Sequence, residues 1–488
     1  MNPYNEAKVR MGLFNSRRYF LRQGIGGLGA MALGSLLGCG PKDLIAPKPS
    51  KSAVGARPHF VPTAKRVIFL HMAGAPSQLE LFDYKPVLQK YDGQPCPASL
   101  LEGKRFAFLQ GTPKMMGPQA NFQQVGQSGA WLSHHLPHLA DRVDDICFLK
   151  AMHTDEFNHA PAQLFMHTGS PRLGRPSMGS WMIYGLGSEN ENLPGFVVLT
   201  SGSDPSAGKS IWGSGFLPSL HQGVQCRSQG DPILYLNNPD NIDAQLRKRS
   251  IAAINEINRR EYEQLGDPEI LSRIAQYELA FRMQAEVPEV MDISKEPAYI
   301  HEMYGTKPGS ISFANNCLLA RRLAEQGVRF IQLYDNAWDH HGAGKGNGVV
   351  DGLASACKNI DRPISALLAD LKMRGLWEDT LVVWGGEFGR TPMMETRASG
   401  ADFRGRDHHS EAFTMWLSGG GIKGGISHGE TDELGYYGVK DRVHIHDLQA
   451  TILHCMGINH EQLTYHFQGR DYRLTDVHGE VVRDILAT

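Results

Sequence analysis

Short, largely apolar runs recur along this chain at 67–70, 146–149, 196–199, 328–334, 380–384 and 412–417. Runs of that length without a clear polar face are the pattern of strands covered on both sides. Between them the apolar period changes to three or four. Helices are predicted over 132–141, 160–167, 178–184 and 313–326, the last closed by Gly327 just past its end. Ala354, Cys357, Ile360, Ile364, Leu367, Leu368 and Leu371 mark one face of a long amphipathic helix that ends near Gly375. The stretch 241–287 is charged and poor in glycine. It breaks at Gly266-Asp267-Pro268, where Pro268 is placed to open a second helix. Ile251, Ile254, Ile257 and Tyr262 approximate its apolar face. It reads as a helical insertion, about 240–305, either a cap over a site or a pair of crossover helices. The alternation of strand and helix predicts an α/β fold, a mostly parallel sheet flanked by helices, with ligands gathering at the carboxyl ends of strands.

At 488 residues the chain is long enough to bury a large core, as one domain over 63–488 that carries the insertion. A formal charge of -2 creates no field that would attract nucleic acid, so no such partner is expected. None of the seven cysteines belongs to a CxxC pair, which argues against cysteine-held zinc. Cys147, Cys317, Cys357 and Cys455 fall in apolar, periodic segments and read as buried thiols. Cys96 and Cys226 fall in loop-like sequence, and their pairing is left open.

Residues 1–39 stand apart from the fold. Ser16-Arg17-Arg18-Tyr19-Phe20-Leu21-Arg22 resembles the twin-arginine export motif, and Leu36-Leu37-Gly38-Cys39 resembles a bacterial lipobox. The apolar stretch between them is too short and too rich in glycine to be a good spanning helix. The expectation is a periplasmic or cell-envelope lipoprotein, exported by the twin-arginine route. A lipid on Cys39 and a tether over 40–62 would join it to the membrane.

Three segments carry the chemistry: Trp338-Asp339-His340-His341-Gly342, Gly385-Gly386-Glu387-Phe388-Gly389-Arg390 and Gly405-Arg406-Asp407-His408-His409. Each sets carboxylates or imidazoles beside glycine at a predicted strand end. Glycine lets the backbone turn sharply and leaves room for a ligand. Mixed His, Asp and Glu ligands suit Zn²⁺, Mn²⁺ or Fe, and carboxylates with water suit Ca²⁺ or Mg²⁺. One histidine of each pair, His340 or His341 and His408 or His409, is expected to ligate. Asp407 reads as a residue that orients a neighbouring histidine. His134, His135 and His138, at near-helical spacing, form another candidate group.

The order of these segments, together with Phe82-Asp83-Tyr84-Lys85-Pro86 and Gly174-Arg175-Pro176-Ser177-Met178-Gly179-Ser180-Trp181, resembles a sulfatase-like bacterial family of unknown function. That family lies within the alkaline phosphatase/sulfatase superfamily, and the likeness covers nearly all of the chain after about residue 65. The segment from His159 to Gly169 can be laid on the sulfatase signature without gaps. Pro161, Thr168 and Gly169 agree with it, His159 stands at the nucleophile position, and Ala162 and Gln163 replace the Ser and Arg. The stretch 447–457 is similar to the helix that ends the sulfatase core. His71-Met72, Glu80 and Glu387-Phe388 depart from the acidic pair, the Asp and the Asp-His that the superfamily places there.

The resemblance implies an exported hydrolase of phosphate or sulfate esters, acting on an anionic substrate with one or two divalent metals (Zn, Mn, Fe or Ca). Asp339 and His341, with His408 or His409, match one metal site. Glu387 matches a carboxylate of the other, which His71 and His159 would complete. Arg390, Arg406 and Arg175 are candidates to grip the oxyanion, since the guanidinium fork fits such groups. With no Ser or Cys at 159, direct attack by activated water is preferred to a covalent intermediate on His159 or Thr154. A second class stays open: a non-hydrolytic, metal-stabilised periplasmic binding or assembly protein that kept the fold and lost the nucleophile.

Overall fold

The computed structural model describes residues 57–233, 236–238, 241–395 and 403–487. The expected leader and residues 40–56 of the tether lie outside them. At the centre of the fold is β1 (Arg66–Met72), every residue of which is buried. Its alternate side chains enter two separate cores. Ile68, Leu70 and Met72 pack on one face of the sheet, and Val67 and Phe69 on the other. That explains why the run has no polar face.

The remaining strands of the main sheet are β2 (Ile146–His153), β3 (Phe196–Ser201), β4 (Val224–Cys226), β5 (Phe330–Asp335), β6 (Thr380–Gly385), β9 (Phe413–Ser418), β10 (Ile426–His428) and β11 (Val443–His444). Between β6 and β9 the chain makes a separate hairpin of β7 (Gly389–Met394) and β8 (Arg406–His409). The nine-stranded sheet runs β10-β2-β9-β6-β1-β5-β3-β4, with β11 also paired to β2. β1 pairs in parallel with both β5 and β6, and β3 in parallel with β5 and β4. β9 is antiparallel to both of its neighbours. The sheet is therefore mostly parallel, with one reversed strand.

Helices cover both faces. α1 (His159–Thr168), α2 (Met178–Leu186) and α7 (Ile445–Cys455) share the core of Val67 and Phe69; α5 (Phe313–Glu325) and α6 (Asp351–Met373) share that of Ile68 and Leu70. α3 (Ala244–Leu265) and α4 (Pro268–Met291) form the insertion. Asp243 and Asp267 cap their N-termini, and Pro268 sits in the first turn of α4, where its missing N–H costs nothing. α4 packs against α5 and the turn Ser219–His221, so the insertion adds a layer beside a crossover helix.

Three expectations are corrected. The helix expected over 132–141 is instead a strand, Ala130–Ser133, paired with Phe122–Val125, then a 3₁₀ turn, Leu139–Asp145. Pro137 lies between them, and a residue before proline avoids the helical region. On α3, Ile251 is buried but Ile254 and Ile257 face solvent. Asn255 and Asn258 are buried in their place, with the Asn255 amide donating to Glu278 of α4. Finally, Cys226 lies on β4 rather than in a loop, and Cys96 and Cys226 are both buried free thiols.

Candidate metal centre

The loop after β5, the start of α1 and the strand β8 meet beyond the carboxyl ends of β1, β5 and β6. His159, Asp339, His341 and His408 bring one ligand atom each to within 4.8 Å of one another. Asp339 Oδ1 is the hub. It lies 2.7 Å from His341 Nε2, 3.2 Å from His159 Nε2 and 3.4 Å from His408 Nε2. The two nitrogens of His341 and His408 are 3.1 Å apart. The imidazoles are largely buried, whereas the Asp339 side chain is 42% exposed, so the cluster opens to solvent on the carboxylate side.

Two close backbone approaches make this convergence geometrically feasible. Gly74 has φ +115°, and a Cβ there would stand 2.6 Å from Asp339 N. A Cβ on Gly405 would stand 1.9 Å from the His341 carbonyl carbon. Side chains at these positions would push β8 and the turn after β1 away from the Asp339 loop.

Each imidazole is also held from behind. His408 Nδ1 donates to Phe157 O at 2.7 Å, and His341 Nδ1 bonds to the buried Glu395 carboxylate. His159 Nδ1 lies 2.7 Å from Glu387 Oε1. These partners fix the Nδ1 side and turn Nε2 toward the cluster, the arrangement metal-binding histidines need. Among the four, His159 Nε2 is buried without a hydrogen bond of good geometry. Three imidazole nitrogens and one carboxylate oxygen, brought from three segments of the chain, fit a divalent cation.

The charges of the cluster act strongly on one another. Burial disfavours ionised Asp339, but His159, His341, His408 and Arg390 outweigh it and hold the carboxyl well below its usual range. Burial lowers His159 as well. Its bonds to Asp339 and Glu387 reverse this and push it up to about 9, so the carboxylates prevail over the tendency of a helix N-terminus to favour neutral imidazole. His408 is pushed down to about 4, first by burial, then by the nearby positive charges of Arg390 and His159.

The structure separates the histidine pairs. His340 is buried beside Trp338 and outside the cluster, with both ring nitrogens unpartnered. His409 points away and bonds Tyr436 O at 2.6 Å. Nor does His71 join the four atoms. It is fully buried, with Nε2 3.3 Å from Glu387 Oε2. Glu387 itself accepts from Gly74 N, from Gln163 Nε2 at 3.0 Å and from His159. It therefore stands behind His159 and not among the cluster atoms.

The three arginines expected to hold an oxyanion are all engaged by groups of the protein. Arg406 is wholly buried. It pairs with Glu80 at 2.6 Å and donates to Met116 O, Gly117 O and Thr391 O. Arg390 clamps Asp339 at 2.5 Å while donating to the carbonyls of Gly74, Ala75 and Arg406. Arg175 lies over the Tyr472 ring and 3.6 Å from Asp476. Among the described residues no imidazole hydrogen-bonds to Asp407, although its carboxylate lies within 4.8 Å of ligand atoms of His341 and Glu395. Asp407 accepts the backbone N–H groups of Phe108, Leu109 and His408, which brings the Phe108 ring edge-on to His341 and His408. The Thr154 hydroxyl is buried without a partner. His134, His135 and His138 line a separate cavity of about 900 Å³ with Asp335 and Lys358.

Glu395, Phe157 and Phe108 were not foreseen. The first follows a strand, and the other two act through backbone or ring edge, so no ligand motif marks them. No curated protein matches the chain in sequence. Among solved structures, an alkaline phosphatase from the Antarctic bacterium TAB5 aligns over 82% of this chain and 100% of its own, at 11% identity and a TM-score of 0.32. The PsFucS1 sulfatase from Pseudoalteromonas sp. aligns over 83% and 69%, at 11% identity and 0.36. The lipoteichoic acid synthase LtaP from Listeria monocytogenes aligns over 86% and 78%, at 10% identity and 0.34. A family model described as a protein of unknown function, DUF1501, matches residues 64–486, and the chain belongs to that family.

Proposed function

We propose that this chain is an exported, metal-dependent hydrolase of phosphate or sulfate esters, anchored to the cell envelope through Cys39. The observation that carries the metal reading is the convergence of His159, Asp339, His341 and His408 on one point that is open to solvent beside Asp339. The donor set of imidazoles with one carboxylate suits Zn²⁺, Mn²⁺ or Fe better than Ca²⁺, which prefers oxygen. When bound, a divalent ion supplies Lewis acidity toward water and toward a phosphoryl or sulfuryl oxygen. The chain supplies the rest. Arg390 holds Asp339 in place, Glu387 and Glu395 fix the imidazoles, and the rings of Phe108 and Phe388 wall the histidines from bulk water. The leader and lipobox resemblances support the location.

The test is elemental analysis of the full chain purified without chelator, beside Asp339→Ala. A bound equivalent that disappears in the variant is expected; an empty wild type would defeat the metal reading. On a panel of phosphate and sulfate esters, turnover lost in Glu387→Ala is expected, and full activity there would remove Glu387 from the mechanism. One observation favours the non-hydrolytic alternative: Arg175, Arg390 and Arg406 are all engaged within the protein. Retained metal without turnover on any ester would select that alternative.

A further inference from the structure

Behind the metal cluster a file of polar side chains crosses the core on the Val67 and Phe69 face of the sheet. Gln332 on β5 lies with its amide nitrogen 2.8 Å from His167 Nδ1. His167 Nε2, on α1, lies 3.2 Å from His71 Nδ1 on β1. His71 Nε2 lies 3.3 Å from Glu387 Oε2, and Glu387 Oε1 lies 2.7 Å from His159 Nδ1. Gln332, His167, His71 and Glu387 are each at most 1% exposed. A polar file at that depth is costly unless its members satisfy one another.

Proton positions along the file follow from one end. A neutral imidazole carries one N–H and one bare nitrogen. An ionised Glu387 only accepts, so its carboxylate, 3.3 Å away but short of hydrogen-bond geometry, favours the proton on His71 Nε2 and leaves Nδ1 bare. His167 must then donate from Nε2, which leaves its Nδ1 bare, facing the amide donor of Gln332. The Gln332 end is consistent with this order, because an amide N–H facing His167 Nδ1 requires a bare nitrogen there. Gln163 is oriented likewise: Ala207 N donates to its carbonyl oxygen at 3.0 Å, so its amide donates to Glu387. With its other donors in place, Glu387 takes Nδ1–H from His159 and leaves Nε2 to the cluster.

We propose that Gln332, His167 and His71 are positioning residues, a directional polar relay that holds Glu387 as an acceptor and sets His159 with Nε2 toward the metal. The consequence for binding rests on the metal reading above; the proton order does not. The test uses the full chain and two readouts. Nitrogen NMR of the metal-free protein with ¹⁵N-labelled histidine, assigned through His71→Gln and His167→Gln, reads the tautomers. Both imidazoles are expected as Nε2–H, and Nδ1–H at either would overturn the relay. Zinc titration then compares Gln332→Glu, nearly isosteric but presenting an acceptor to His167, with Gln332→Met, which removes the donor without opposing the order. Supporting-residue changes at metal sites cost roughly 10- to 100-fold in affinity, and that loss is expected in Gln332→Glu, with a smaller one in Gln332→Met. Equal losses in both would show packing alone and overturn the relay. A wild-type chain that takes up no zinc would defeat the metal reading, while the tautomers still decide the relay.

Discussion

His340 and His341 are adjacent in the chain and opposite in environment: one is sealed beside Trp338, the other holds its Nε2 2.7 Å from Asp339. His408 and His409 divide the same way for a simpler reason. They are consecutive on β8, and consecutive strand residues point to opposite faces. The prediction is that His341→Gln and His408→Gln lose the bound metal equivalent, whereas His340→Gln and His409→Gln keep it. Elemental analysis of the four variants checks this, and metal loss in His409→Gln alone would misplace the centre. The sequence pointed to these clusters because glycine beside carboxylate and imidazole is a local signal. It left each pair open because orientation depends on the face of a strand or turn. Glu387 illustrates a further limit: its value as a carboxylate was legible, but its place behind His159 depends on His71 and Gln163, which come from other elements.

At the scale of elements, a buried ion pair ties the β7–β8 hairpin to the segment after β1. Arg406 on β8 meets Glu80, which follows β1 in the chain, and both side chains are inaccessible to solvent. Removing one partner of such a pair leaves a buried charge and typically costs about 3–5 kcal/mol. Glu80→Gln is therefore expected to lower unfolding stability by an amount of that order in urea titration. Its metal stoichiometry should be retained under native conditions, because Glu80 touches none of the four cluster residues. An unaltered urea midpoint would show that the hairpin does not rely on the pair. In the sequence Gly405-Arg406 beside ligand residues looked like an anion grip, and only the packing of Met116, Gly117 and Thr391 around the guanidinium reveals a structural role. α3 departs from its apolar spacing for a similar reason. Its apolar spacing was real, but the polar contact of Asn255 with Glu278 chose a different face for burial.

For the whole molecule, the α/β class and the central strands were readable because strands buried on both faces leave continuous apolar runs. The reversal of β9 was not, since a buried strand carries no mark of its direction. Global stability should depend on pH through histidines kept neutral inside the fold. Burial, with positive neighbours at two of them, pushes His153, His221 and His446 down to about 4. Above the ordinary histidine value near 6.5 neither the folded nor the unfolded state binds these protons. Between about pH 6.5 and 4 only the unfolded state does, so stability falls as pH falls through that window. Thermal unfolding from pH 7.5 to 4.5 should show a declining midpoint, less steep in His446→Gln if that variant folds; a flat profile would contradict the neutral assignment. The pairing of β1 has one more consequence, for the timing of folding. Its partners are residues 330–335 and 380–385, so the middle of the sheet stays open on a ribosome until most of the chain has emerged. Such distant contacts form late and leave apolar segments exposed meanwhile. A nascent chain ending before β5 carries β1 as an orphan strand for chaperones to shield, and the four-residue cluster is complete only after His408 has been synthesised.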